Sequence, residues 1–582
     1  MSDAAHHDAG FPLEPSRAPD AGGEIRTISF VSLGCPKNLV DSEKMLGLLA
    51  ADGLIPVSAG EGGERWDDSE HTEGRSADET MPGATRAATS SIDEADAVVI
   101  NTCGFLEASK DESLSVIHEA IRAKEAGRIK RVVVAGCLVQ RHRAKMLEWA
   151  PGIDALIGVF DRDHIVEAVR GIRRERSSLA EASDQPRYWV AGNALEAAQA
   201  RGMATTGLTV HGKDGKGVGY FEDDSARLRL TPRHYAYLRV SEGCNQRCAF
   251  CTIPSIRGKM RSKPIDAIVR EARELVRDGA FELNLIGQDT TSYGDDVGAG
   301  YDESTGRGGM PAMLREIERA VQEEGGRGWV RLMYAYPSNF RDEFIDSLAE
   351  MASRGIVLPY IDIPLQHASD AMLQRMRRHV AASQQRELIE KLRERVPGMA
   401  VRTTFISGHP GETEADHEEL LAFVEDMQFD AVGVFEYSRE PQTPSGTMEQ
   451  DASLAVDAET KRRRKGEVMA LQQKIAFEQA AFLASQFDEK DPEGSGCQFD
   501  VLIDRATGSR AEATSGVGSG GMLYQGRAYF QAPQIDAMTY VQAREGLSPG
   551  ELVRCTVVAS DGYDLIARPV SELTRRVSLR VV

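Results

Sequence analysis

The chain has 582 residues, enough for two to four domains. Its 69 Lys and Arg stand against 90 Asp and Glu, a net charge of −21 that repels phosphate backbones at long range and favours a basic partner. Neither a secretory apolar segment in residues 1–23 nor a run near the ~20 apolar residues of a membrane span is present, so the chain reads as soluble and cytoplasmic.

Residues 1–24 read as a tail. From 25 to 173 short β-branched runs alternate with helical spacing. Strands are predicted at 25–33, 97–102 and 131–135, with a first helix capped by Asp41 or Ser42 and ending near Gly53 and a second over 106–124. That alternation predicts an α/β fold with a doubly wound parallel sheet. Residues 60–91 are polar and rich in Gly, Glu and Ser, which predicts a flexible loop insertion. Residues 174–226 show no clear period and read as an interdomain linker.

A second βα series fills 227–486, with strands predicted at 235–240, 282–286, 330–334, 360–363, 401–405 and 431–437. Helical patterns such as 264–278 and 414–427 lie between them, and six such units predict a partial parallel barrel. Residues 294–309 form another loop rich in Gly and Asp. The charged helical stretch 454–485 contains Lys461-Arg462-Arg463-Arg464-Lys465, read as a solvated face and also as the best place for an RNA contact. Residues 487–572 turn to β texture, with strands predicted at 499–503, 526–530 and 552–558 and a small β-barrel expected.

Eight Cys in a long chain without an export signal point to metal or redox chemistry rather than disulfides. Three stand in Ser241-Glu242-Gly243-Cys244-Asn245-Gln246-Arg247-Cys248-Ala249-Phe250-Cys251, directly after a predicted strand. Cys244, Cys248 and Cys251 can hold three irons of a [4Fe–4S] cubane and leave the fourth open to the amino and carboxylate groups of S-adenosylmethionine. Reduction then cleaves the sulfonium and releases a 5′-deoxyadenosyl radical. A structural zinc site would want a fourth ligand, usually in C-x2-C pairs, and none is near. Phe250 can pack on adenine. Gly408, Gly411 and Glu412, in Gly408-His409-Pro410-Gly411-Glu412 after the 401–405 strand, join it as candidate cofactor-binding residues.

Cys35, Cys103 and Cys137 each follow one of the three predicted N-terminal strands, and each has a glycine beside it. Carboxyl ends of neighbouring parallel strands converge, so these thiols are expected to meet and hold a second [4Fe–4S] cluster. The competing reading is three buried structural cysteines. Cys497 and Cys555 are assigned to packing. Two open-iron clusters imply a division of labour, one making the radical and one holding sulfur that accepts a methyl group. Arg257, Arg261 and Lys263, closely following the radical loop with Lys259, are candidates to grip a substrate carboxylate.

With these residues in view the chain resembles the methylthiotransferases. Ser32-Leu33-Gly34-Cys35-Pro36-Lys37-Asn38, Asn101-Thr102-Cys103-Gly104-Phe105 and Ala135-Gly136-Cys137-Leu138 look like that family's cluster-binding segments. The resemblance covers about residues 25–173 and 227–572 and implies a methylthiotransferase domain, a radical S-adenosylmethionine core and a C-terminal TRAM barrel. The segments 230–237, 288–294, 362–369 and 532–536 resemble the branch acting on ribosomal protein S-twelve; at Asp289 the tRNA-modifying branch usually carries Asn. The implied reaction is methylthiolation of an aspartate β-carbon, with S-adenosylmethionine as radical source and methyl donor and an electron donor such as flavodoxin or ferredoxin. His409 departs from the family, which commonly has an apolar residue there. Residues 488–572 hold 13 Asp and Glu against 7 Lys and Arg, which favours a basic protein over nucleic acid as substrate. The alternatives are the same chemistry on a tRNA adenosine, and a non-catalytic iron–sulfur carrier.

Overall fold

The computed structural model describes residues 24–57, 85–88, 92, 95–171, 187–203, 219–300, 308–510 and 521–573. The strand Thr27–Gly34 sends Ile28 and Phe30 into one buried cluster and Val31 and Leu33 into another, so both faces of its sheet are covered. The sheet runs in the order Ile55–Pro56, Thr27–Gly34, Ala97–Thr102, Arg131–Gly136, Ala155–Ile157, Arg187–Trp189, all parallel. Thr85–Ala88 adds an antiparallel edge beside Thr27–Gly34; the rest of 60–91 lies outside the described residues.

Two expectations are corrected here. The first helix spans Pro36–Ala51 and starts ahead of Asp41 and Ser42, with Cys35 at the cap position. Proline in the first turn lacks only an N–H that would be orphaned anyway, and its fixed φ starts the helix. The stretch read as a linker holds the strand Arg187–Trp189, paired with Ala155–Ile157, and the helix Ala194–Ala200, whose cap Asn193 accepts from Leu195 N at 2.9 Å. A three-residue strand is too short to show a period, yet its Trp189 is fully buried. Residues 174–186 and 204–218, the remainder of the expected linker but for its ends, lie outside the described residues, as do 1–23 of the tail and 301–307 of the Gly- and Asp-rich loop.

The second sheet holds six parallel strands in chain order: Tyr235–Arg239, Glu282–Ile286, Trp329–Leu332, Val357–Asp362, Ala400–Ser407 and Ala431–Glu436. All six expected strands are present. The sheet leaves its first and last strands unpaired with each other, as a partial barrel does. The helix Ala458–Ser485 lies against its last two strands.

The barrel interior is shared by three parts of the chain. Tyr235, Tyr237, Trp329, Leu358 and Tyr360 pack with Leu39 and Val40 of the Pro36–Ala51 helix and with Leu502 and Ala532 of the C-terminal unit. Charge enters too: Glu282 lies between Arg331 at 2.7 Å and Arg527 at 2.5 Å, and Arg402 bonds Asp362 at 2.8 Å and Asp536 at 3.2 Å. Such buried ions persist because each has an opposite partner.

The C-terminal unit is a closed five-stranded barrel in the order Gln498–Arg510, Met522–Ala528, Thr539–Ala543, Asp564–Pro569, Leu552–Asp561. The second, third and fourth strands in this order depart from expectation. The 526–530 strand instead spans Met522–Ala528, releasing Tyr529 and Phe530 to pack beside the radical barrel, and Asp564–Pro569 was not foreseen, nor was Thr539–Ala543. Among the described residues no helix is long and apolar enough to cross a membrane.

Candidate active site

Sheet register gathers the dispersed cysteines. Ser32 pairs with Asn101 and Asn101 with Ala135, so Cys35, Cys103 and Cys137 leave one edge of the sheet at nearly equal height. Asn38 ties the strand ends, donating to the carbonyls of Leu33 at 2.6 Å and of Asn101 and Thr102 at 3.3 Å. Asn101 answers by donating to Asn38 O at 2.9 Å and Ser42 Oγ at 2.8 Å.

The glycines have a different reason from the one expected. A Cβ on Gly34 would lie 2.7 Å from Cys103 Cβ, one on Gly104 2.7 Å from Leu138 N, and one on Gly136 2.3 Å from Asn101 Oδ1. Each glycine lets the neighbouring cysteine loop approach, rather than clearing space for a cluster. Gly34 and Gly136 also hold φ of +98° and +100°, which side chains resist.

All eight cysteines are free thiols. Among the described residues no group of three Cys, His, Asp or Glu side chains is gathered to hold a single metal ion. A cubane spaces its thiolates more widely than one ion does, so its fit is judged on the donors. Three unbridged thiols share one sheet edge. Burial pushes Cys103 up to about 11, with Cys35 adding to it, and Cys137 up to about 12. Thiols so buried become ligands only where positive charge offsets the thiolate. Arg257 supplies it, with its guanidinium 3.3 Å from Cys137 Sγ. The residues present fit a thiolate-held cluster.

The radical loop is tightly pinned. Gly243 has φ +79° and a Cβ there would lie 2.2 Å from Lys259 O; Cys244 N–H donates to Gly258 O at 3.1 Å. Ala249 N–H donates to Met376 O at 2.8 Å and its carbonyl accepts from Ser445 N at 3.0 Å. Burial pushes Cys251 up to about 12 and raises Cys244 as well. Arg378 Nη1 stands 3.6 Å from Cys248 Sγ, the same pairing of cation and thiol seen at Cys137. Phe250 packs with Met372, Met376, Ile406 and Tyr437.

The 408–412 turn closes on itself. The Glu412 carboxylate accepts from Gly408 N at 2.6 Å, His409 N at 3.2 Å and Arg464 Nη1 at 3.1 Å. Glu412 thus braces the turn from behind. Gly408 and Gly411, at φ +76° and +80°, make room for Lys461 Cγ and Arg375 Nη1. His409, the departure from the family, is buried with Nε2 2.7 Å from Ser445 Oγ and its ring edge-on to Tyr437. Burial pulls its pKa to about 4, so it stays neutral and serves packing as an apolar residue would. The basic run is largely paired: Lys461 with Glu449 at 2.7 Å, Arg463 with Glu414 at 2.8 Å and Arg464 with Glu412. It fastens a helix to the barrel instead of presenting a wholly solvated face.

The three cations expected to meet substrate are already engaged. Arg257 bonds Asp41 at 3.1 Å and Glu242 at 3.0 Å; Lys263 bonds Asp224 at 3.1 Å and Glu271; Arg261 bonds Glu222. All three side chains are buried, and a buried charge requires an opposite partner. Arg257 and Lys263 belong to a continuous network in which Arg162 and Arg239 each bridge Asp41 and Asp224, and Arg227 joins Glu43 to Glu271. Glu242 binds Arg239 at 2.6 Å and completes five carboxylates against five cations. The network locks the Pro36–Ala51 helix and the 219–227 segment to the radical barrel.

Sequence reasoning missed Lys37. It lies in the first turn of the Pro36–Ala51 helix, where the helix dipole disfavours a cation. That unfavourable placement was the available signal. Its Nζ stands 3.4 Å above the centre of the Tyr334 ring, across from the end of the strand Trp329–Leu332.

The Radical SAM superfamily matches residues 238–424, the uncharacterized protein family UPF0004 residues 71–158, and the TRAM domain residues 496–570. A ribosomal protein uS12 methylthiotransferase RimO of Solibacter usitatus is 35% identical, covering 93% of this chain and 94% of its own. The protein of that description from Symbiobacterium thermophilum is 36% identical over 95% and 93%, and that from Geobacter sulfurreducens 34% over 94% and 98%. Among solved structures, the radical S-adenosylmethionine methyltransferase TsrM from Kitasatospora setae, with cobalamin and a [4Fe–4S] cluster bound, aligns at 17% identity and TM-score 0.40, covering 61% of this chain and 65% of that one. By its near full-length identity to these relatives, the chain belongs to the RimO family and is a radical S-adenosylmethionine methylthiotransferase that works with S-adenosylmethionine and an iron–sulfur cluster.

Proposed function

We propose that the protein places a methylthio group on the β-carbon of an aspartate in ribosomal protein uS12, holding one [4Fe–4S] cluster on Cys244, Cys248 and Cys251 and a second on Cys35, Cys103 and Cys137. One observation carries the two-cluster reading: Arg257, on the segment just after the radical loop, reaches Cys137 Sγ at 3.3 Å, so both triads border one buried site. The relatives named for uS12 support the substrate. When bound, the cofactors supply a 5′-deoxyadenosyl radical and a sulfur carrying a methyl group. The chain does the rest. Phe250 offers an apolar face to adenine, and Glu412 holds in shape the 408–412 turn, whose glycines let Lys461 and Arg375 pack against it. Arg257 and Arg378 offset thiolate charge on each triad. The Pro36–Ala51 helix and the C-terminal unit fill the barrel's side and keep water from a radical.

The acidic C-terminal unit and the paired basic run weigh against tRNA as substrate. Such an enzyme acts in the cytoplasm with a flavodoxin or ferredoxin as reductant. Mass spectrometry of uS12 from a strain lacking this gene tests the reading: the methylthio group must vanish. Its persistence, with loss of a methylthioadenosine from tRNA instead, establishes the tRNA alternative. Reduced, reconstituted protein that leaves S-adenosylmethionine intact establishes the carrier alternative.

A further inference from the structure

We infer that Lys37 is the cation that grips the substrate's side-chain carboxylate and so decides which carbon faces the radical. The inference deepens the uS12 reading and rests on it. Among the described residues the other buried cations named around the two triads have bonding partners, Arg378 with Cys248 Sγ at 3.6 Å and Pro364 O at 2.6 Å. Arg162, Arg239, Arg257 and Lys263 are held by Asp41, Asp224, Glu242 or Glu271, and Arg402 by Asp362 and Asp536. Lys37 is 7% exposed, as buried as they are, yet among the described residues it has no carboxylate within bonding distance and no hydrogen bond. Its Nζ stands 3.4 Å from the centre of the Tyr334 ring. A ring face attracts an ammonium without consuming its N–H donors, which leaves them free for an anion.

The surroundings point to the same use. Lys37 follows Cys35 by two residues and the next helical turn, Leu39 and Val40, enters the barrel. Its ammonium therefore stands between the dispersed triad and the barrel strands. Tyr334, which carries it, holds φ +60°, a left-handed conformation costly for a tyrosine and typical of a residue aimed for function.

A carboxylate has two sources here, the protein substrate and the methionine end of S-adenosylmethionine, and the experiment separates them. Wild type, Lys37→Met and Lys37→Arg are reconstituted and assayed for iron and sulfide, for S-adenosylmethionine affinity by equilibrium dialysis, and for kcat and KM on purified uS12. The same kinetics are run on uS12 in which the modified aspartate is asparagine. The expected result is a KM for uS12 raised about 10–100-fold in Lys37→Met, the loss of one charge-assisted hydrogen bond, with iron and S-adenosylmethionine affinity at wild-type values. Lys37→Arg recovers part of the loss, and Lys37→Met no longer favours aspartate over asparagine. An unchanged KM, or a loss that falls instead on iron content or on S-adenosylmethionine affinity, overturns the inference while wild-type turnover keeps the uS12 reading alive. Wild-type enzyme that leaves uS12 unmodified sinks both.

Discussion

Cys244, Cys248 and Cys251 sit together on one loop, whereas Cys35, Cys103 and Cys137 are brought together from three separate strand ends. The first triad needs only its own turn, pinned by backbone bonds to Gly258, Met376 and Ser445. The second needs the parallel register of the sheet, the Asn38–Asn101 exchange and three glycines that let the loops touch. A local site tolerates loosening of the fold around it; an assembled site inherits every weakness of the scaffold. The two triads thus rest on unequal foundations, joined by the buried network through Arg257.

That contrast is broken most completely by removing a ligand. Cys244→Ala and Cys35→Ala are each expected to lower iron from about eight to about four per chain and to abolish methylthio transfer, read by iron quantitation and mass spectrometry. Equal loss of all iron in both would mean that the triads are not independent. Next in size is Asp224→Asn, which strips Arg162, Arg239 and Lys263 of a common partner. Breaking a buried pair costs roughly 3–5 kcal/mol, visible as a lower Tm. These cations hold the Asp224 carboxyl well below its ordinary value against the opposing effect of burial. Its contribution is therefore complete above the unfolded pKa of about 4 and is lost as pH falls through the lower folded value. Wild-type and Asp224→Asn melting curves should converge toward low pH, and parallel curves would refute the assignment. Gly136→Val comes third. At φ +100° and with Thr102 O 2.6 Å from its Cβ, the change costs on the order of 2–4 kcal/mol locally. It should release the iron of the dispersed triad and spare the radical loop, which sharpens the contrast without touching a ligand. Smallest is Arg462→Ser, at an exposed position of the basic run. Its effect on stability should stay below about 0.5 kcal/mol, and a large loss of activity would reopen the RNA contact.

The local triad was legible because its spacing alone carries the chemistry. The gathering of Cys35, Cys103 and Cys137 at one sheet edge was legible at one remove, since a Cys follows each of three predicted strands and parallel strands end together. The six barrel strands were legible because buried parallel strands read as unbroken apolar runs. What escaped notice were features set by partners distant in sequence. Arg257, Arg261 and Lys263 looked like free cations because Asp41, Asp224 and Glu222 are far away along the chain. Glu412 looked aimed at a ligand, while Arg464 and its own turn take its oxygens. Lys37 was hidden likewise, since the Tyr334 ring beneath its ammonium lies far along the chain.

The inner wall of the radical barrel contributes Glu282, Arg331 and Arg402, and the C-terminal unit supplies Arg527 and Asp536 to match them. A protease nick between the two units followed by loss of the smaller one would strand those ions without neutralising charge. The fragment would not be a trimmed enzyme. It would carry an open wound of charge and tyrosine where the sealed wall had been, and it should precipitate rather than turn over.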